Sequence, residues 1–230
     1  LFPYLVLSFT IGLTLVIAEI TLGRLGKGGI VTAYRTIAGK GWTVFGYLGI
    51  LTGFCVLCFY SAIGGWTISY FIDALLGNGI VTDVSELNAH FGALVSNPYI
   101  SIGYQAAFLF LTAWVVLFDV AKGIERLNKI LMPLLFVLVL ILIVRGMTHP
   151  GAEKGIAYLF AWKPETFTWQ SLLSAMGFTF FSLCVGCGCM LTYGSYLSKD
   201  TNLLTGCSWI TFLATFSSIL GGLMILPSVF

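Results

Sequence analysis

The chain has 230 residues, 58% hydrophobic and 9% charged, with a formal net charge of +2 and a mean hydropathy of +0.99. A soluble domain carries about 25% charged residues, so this composition excludes a water-soluble globule of this size. The alternating pattern of an outer-membrane barrel is absent too. An all-α integral membrane protein is predicted, as one transmembrane domain over residues 1–230. The few charges sit in short clusters between apolar runs and give no basic footprint for nucleic acid.

A spanning helix needs about 20 mostly apolar residues, and six segments qualify. The first, Leu1–Leu22, reads "LFPYLVLSFTIGLTLVIAEITL" and holds one deep acid, Glu19. An acid inside a span is functional by default. The chain opens without methionine, inside this apolar run, and lacks the basic start and cleavage site of a signal peptide. A piece of a longer membrane protein is therefore expected. The second segment is Val44–Leu76, and the third and fourth are Tyr104–Val120 and Leu127–Met147. In the loop after the fourth, "PGAEKGIAYLFAW" predicts a helix from Pro150 to before Pro164, laid on the outer membrane surface. The fifth and sixth segments are Trp169–Leu197 and Leu203–Phe230. Trp42, Trp66, Tyr70, Trp162 and Trp169 fall near predicted interfaces, as belt aromatics do.

Cytoplasmic loops collect Lys and Arg. The loops after the first, third and fifth segments hold eight of the eleven basic residues, and the alternate loops hold Arg145, Lys154 and Lys163. This places the Leu1 end on the outer side of the cell membrane.

Six cysteines lie within or at the ends of apolar segments, so no disulfide framework is expected. Cys55/Cys58 and Cys184/Cys187 form two C-x-x-C pairs. A zinc site from them is disfavoured: an apolar setting resists the thiolate charge, and "CVLC" lies mid-helix. Cys58 also turns nearly away from Val56 and Tyr60, since helical residues advance by about 100°. Both histidines, His90 and His149, fall in loops. Cysteine here reads as a small packing residue. Gly186 and Gly188 interrupt the fifth segment near its middle. They mark either a broken helix whose backbone meets a ligand or close packing of small residues.

Several stretches, in order, resemble the sodium-coupled neurotransmitter and amino-acid symporters, whose bacterial members include the leucine transporter. "FPYLVLSFTIGLTLVIAEITLGR" is similar to their second helix and "CFYSAIGGWTISY" to their third. "KGIERLNKILMPLLF" resembles the join of helices four and five. "FFSLCVGCGCMLTYGSYLSKDTN" resembles the sixth helix and "ILGGLMILPSVF" the seventh. The resemblance runs nearly end to end, weakest over Gly77–Ser101. It implies family helices two to seven: six transmembrane helices of a partial inverted-repeat, leucine-transporter-like fold with one broken helix.

The resemblance also implies a site. Tyr60 matches the tyrosine that holds a substrate carboxylate, Val56 a pocket wall, and Phe181 an aromatic lid. Ser182 matches a contributor to the first sodium site. Cys184, Gly186 and Cys187 match the unwound stretch around the substrate side chain, with Gly188 closing the break. Glu19 matches an acceptor of backbone amides from the unwound helices. Ser195 and Tyr196 match positions near the inner gate. Tyr4, Ser182 and Ser217 match three members of a chloride site. Two positions depart from the pattern. Leu213 stands where a sodium ligand, Asn or Asp, is usual, and Phe178 where a glutamine would complete the chloride site. Cys187 replaces a bulkier residue, which enlarges the pocket.

The expected function is sodium-coupled symport of an amino acid or small amine by alternating access. Sodium is the coupling ion, the small-molecule substrate and the lipid bilayer are the expected partners with the oligomeric state left open, and no enzymatic step, cofactor or other metal is implied. The rivals are a non-transporting binding protein of the same fold, motivated by Leu213 and Phe178, and a membrane thiol or metal protein.

Overall fold

Apolar runs in a bilayer have no water to satisfy their backbone, so they fold as helices. The computed structural model describes residues 1–77, 84–117, 120–148, 152–161, 167–198 and 200–229. All regular structure among them is helical. The first span combines α1 (Phe2–Leu7), a π-helical turn (Ser8–Gly12) and α2 (Leu13–Gly26). It ends where Lys27 takes a left-handed conformation (φ 41°) before Gly28 and Gly29. A short α3 (Ile30–Ala38) and a 3₁₀ turn (Lys40–Trp42) lead into α4 (Thr43–Leu75). Then follow α5 (Val84–Ser96), α6 (Pro98–Leu117), α7 (Val120–Met147) and α8 (Ala152–Phe160). The last elements are α9 (Trp169–Ser182), α10 (Cys189–Tyr196) and α11 (Leu203–Val229).

Five helical stretches are long and apolar enough to cross a membrane: Phe2–Gly26, Lys40–Leu75, Pro98–Leu117, Asn128–Met147 and Leu203–Pro227. The remaining predicted segment, Trp169–Leu197, is divided into α9 and α10. Some boundaries differ from the sequence reading. The third span starts at Pro98 rather than Tyr104, because proline suits a helix's first turn. The charged stretch before Leu127 belongs to α7 rather than to a loop. The loop Gly77–Gly103 contains α5. The surface helix appears as Ala152–Phe160; Pro150, Trp162 and Pro164 lie outside the described residues, as does His149.

The described residues divide into two compact units, Leu1–Gly53 with Pro133–Phe230, and Phe54–Met132. In the first, Val16, Ile20, Leu183 and Cys207 form the buried core. Here α2 and α10 approach through paired glycines. A Cβ on Gly23 would run into the Leu191 carbonyl oxygen, and one on Gly194 into the Ile20 carbonyl oxygen. Small residues let backbones come this close in membranes. The short α8 packs on α11, burying Ala152 and Gly155.

In the second unit, Gln105 Nε2 donates to the buried Ser61 Oγ at 2.8 Å, and Ser61 Oγ donates to the Cys58 carbonyl at 2.9 Å. This joins α6 to α4. Helix α5 is fastened to α4 by an edge-on Trp66–Phe91 contact, 5.2 Å between centroids, and by His90 Nε2 at 3.4 Å from Asp73 Oδ2.

Candidate functional site: the broken helix and its acid

Helix α9 starts cleanly, with Thr168 Oγ1 accepting from the Ser171 N–H. It stops at Ser182. The next six residues, Leu183–Gly188, are not helical. Cys184 (φ 52°), Gly186 (φ 89°) and Gly188 (φ 76°) have left-handed backbones. The glycines adopt this without a Cβ penalty. Cys184 does not, and a strained non-glycine residue is characteristic of functional sites.

An unwound backbone inside a membrane needs partners for its polar groups. The Gly186 N–H has one: Glu19 Oε1, at 2.7 Å. That distance fits a charge-assisted hydrogen bond. The other carboxylate oxygen, Glu19 Oε2, is buried and has no partner among the described residues. The Cys187 thiol donates to the Cys184 carbonyl at 3.0 Å. The carbonyls of Val185, Gly186 and Cys187 receive no backbone N–H among the described residues. The Leu183 carbonyl likewise receives none, so these carbonyls and Glu19 Oε2 are acceptors left open at the break among the described residues. Such a set suits a cation or the donor groups of a small polar ligand.

The Ser182 hydroxyl sits at the front edge of the break. It donates to the Thr179 carbonyl at 3.1 Å and lies 3.2 Å from the Tyr4 hydroxyl. Tyr4 in turn donates to Ser218 Oγ at 3.0 Å, and Ser218 Oγ donates to the Ala214 carbonyl at 3.0 Å. Thus Tyr4 and Ser182 are brought together, and the third hydroxyl on Tyr4 is Ser218. Ser217, one position back on α11, is exposed. The helical repeat explains the choice: Ser218 continues the stripe of Thr211 and Thr215, both buried, at i, i+4 and i+7. That stripe is a sequence signal for Ser218. The Phe178 ring lies 4.8 Å from the Tyr4 ring and brings no donor.

Elsewhere in the first unit, Ser195 and Tyr196 line a cavity of about 370 Å³ with Arg24, Lys27 and Thr192. Ser195 Oγ donates to the Thr192 carbonyl at 2.7 Å, and the Arg24 guanidinium donates to the Thr201 carbonyl at 3.0 Å. Phe181 and Leu213 are about half exposed, at 50% and 53%. Val56 and Tyr60 belong to the second unit, one turn apart on α4. No group of three or more His, Cys, Asp or Glu able to hold a metal ion occurs among the described residues.

An all-helical membrane chain, with a broken span pinned by a buried acid, defines a narrow class. The profile of the sodium:neurotransmitter symporter family matches residues 1–81 and 100–229; the chain belongs to this family, and its fold is a partial transporter fold of that kind. It is 33% identical over 228 residues to an uncharacterized sodium-dependent transporter, YhdH, of Bacillus subtilis, covering 99% of this chain and 51% of that protein. An uncharacterized sodium-dependent transporter of Haemophilus influenzae is 31% identical, over 99% of this chain and 52% of its own length. The human sodium- and chloride-dependent GABA transporter 2 is 26% identical, over 97% of this chain and 43% of its own length. The chain spans about half the length of the bacterial relatives it matches.

Proposed function

We propose that this chain is the part of a sodium-coupled symporter that carries one of its broken helices, and that the full-length protein moves an amino acid or related small amine by alternating access. The observation that carries this reading is the unwound stretch Leu183–Gly188, pinned by the Glu19–Gly186 bond, with the Val185, Gly186 and Cys187 carbonyls receiving no backbone N–H among the described residues. Relatives named as sodium-dependent transporters support sodium as the coupling ion. In this reading Tyr60 holds the substrate carboxylate, Val56 forms a wall, and Phe181 closes over the ligand. Cys184, Gly186 and Cys187 surround its side chain, Ser182 contributes to the first sodium site, and Ser195 and Tyr196 close the inner path. The basic-loop asymmetry supports an outer position for Leu1. Sodium binding favours the outward-open state by population shift. The test is uptake of labelled amino acids by the full-length protein in vesicles with and without a sodium gradient. Uptake that ignores sodium contradicts the proposal.

Chloride is a weaker partner in this reading. An anion needs converging donors, yet the Tyr4, Ser182 and Ser218 protons go to Ser218, Thr179 and Ala214 respectively, and Phe178 adds none. Turning a hydroxyl toward an anion gives up a bond of about 1 kcal/mol. Replacing chloride with gluconate is expected to change the initial uptake rate by less than about twofold. A loss of most uptake would show that chloride reorganises this trio.

A second reading, a binding protein that does not transport, is favoured by Leu213, which offers no oxygen at an expected sodium-ligand position. Sodium-independent substrate binding without uptake, in a well-folded full-length sample, would select it.

A further inference from the structure

Glu19 fixes one side of the unwound stretch through the Gly186 N–H. The other side is fixed by a residue of the short α3. The Ile30 Cδ1 methyl occupies the place that a Cβ on Gly188 would take, and also the place that a Cβ on Gly49 would take. Ile30 therefore fills a socket whose walls are α4 at Gly49 and the last residue of the break. The same face of α4 meets the break directly. A Cβ on Gly53 would stand 3.5 Å from the Cys187 carbonyl oxygen, and one on Gly49 would stand 3.8 Å from that of Gly186. Those are two of the unpaired carbonyls. Helix α3 is itself seated firmly: Val31 Cα would be 2.8 Å from a Cβ on Gly46, and Ala33 is buried against Gly26. Burial, and secondarily the Glu19 charge, push the Tyr34 phenol up, consistent with α3 lying close under the acid.

We infer that Ile30 is a positioning residue for the unwound stretch: its Cδ1 methyl, seated between Gly49 and Gly188, sets where the Gly186 and Cys187 carbonyls lie. The inference rests on the reading of the break as the ligand site. Ile30 acts through the backbone beside it.

The geometry supplies a paired test. Gly49→Ala puts a methyl where Cδ1 already sits. Ile30→Val removes Cδ1 and nothing else, after which the nearest atoms to the new methyl are at 3.8 Å, ordinary contact distance. In the full-length protein in membranes, alkylation at Cys184 and Cys187 is read site by site by mass spectrometry, beside the apparent KM for sodium in uptake. Gly49→Ala is expected to raise alkylation and the sodium KM by at least about fivefold, because the new methyl and Cδ1 cannot share the socket and Cδ1 must turn out of its seat against Gly188. Ile30→Val alone, which empties the place of Cδ1, raises alkylation by about threefold, and the double variant, whose new methyl refills that place, returns to within about twofold of the parent, as coupled neighbours do. Ile30→Ala, which only deletes atoms, raises alkylation without any clash. A double variant no better than Gly49→Ala overturns the assignment, and so do Gly49→Ala and Ile30→Ala that both alkylate at the parental rate. If the parent shows no sodium-dependent uptake, the functional reading falls, while the alkylation cycle still decides the role of Ile30.

Discussion

Replacing Glu19 with alanine in the full-length protein is expected to cut sodium-driven uptake by roughly 5- to 150-fold while leaving the protein in the membrane. The Gly186 N–H would lose its acceptor, and a buried donor left unpaired costs about 1–3 kcal/mol. The loss falls on the strained backbone that Glu19 holds in place, so the break, not the fold, bears the cost. Glu19→Gln tests the charge separately. It keeps an oxygen acceptor at 2.7 Å from the Gly186 nitrogen but gives up the ionised partner. Hydrogen bonds to charged groups contribute about 1.5–3 kcal/mol and neutral ones about 0.5–1.5 kcal/mol, so Gln should retain roughly a tenth of the parental rate. The measurement is initial uptake normalised to monodisperse protein by size-exclusion chromatography. An alanine variant that transports at the parental rate would remove Glu19 from the account.

The second large effect is structural. Gly23→Ala and Gly194→Ala each drive a methyl into a backbone carbonyl of the facing helix, at Leu191 and Ile20. No side-chain rotation relieves such a clash, so α2 and α10 must separate. Overpacking of this kind costs about 3 kcal/mol. Each variant is expected to lose most of its monodisperse yield and to lower the thermal midpoint by several degrees, on the scale of about 2–4 °C per kcal/mol for a chain of this size. Gly206, where a Cβ meets nothing within 4 Å, is the control, and its alanine variant should behave as the parent. Equal stability of all three variants would contradict the paired-glycine contact.

Much of the fold was legible because bilayer physics leaves few choices. Runs of apolar residues near spanning length fold as helices, and five of the six segments do so unbroken. The break itself was legible in Gly186 and Gly188. Its start was not: the first left-handed residue is Cys184, two positions before the first glycine, and no composition rule marks a cysteine for that backbone. Helix ends were less legible for a related reason. The charged residues ahead of Leu127 read as a loop, but a helix leaving the membrane can carry charge, and α7 begins at Val120. Within the site, Glu19 stood out as a lone intramembrane acid, and its partner proved to be a backbone amide. Ser218 faces about 100° away from its neighbour Ser217, and the Thr211–Thr215 stripe at i, i+4 and i+7 was the signal that selects it. Ile30 carries no chemical signal, since its role comes from two glycines distant in sequence.

The most direct test of the unwound stretch as the ligand site is substrate protection of its cysteines. The full-length protein in membranes is alkylated with and without sodium and a transported amino acid, and each cysteine is quantified separately. With substrate at about ten times its dissociation constant, modification of Cys184 and Cys187 should slow by about tenfold, while Cys207, buried in the core, keeps its rate. A substrate that is transported in a sodium-dependent way yet leaves both rates unchanged would contradict the account.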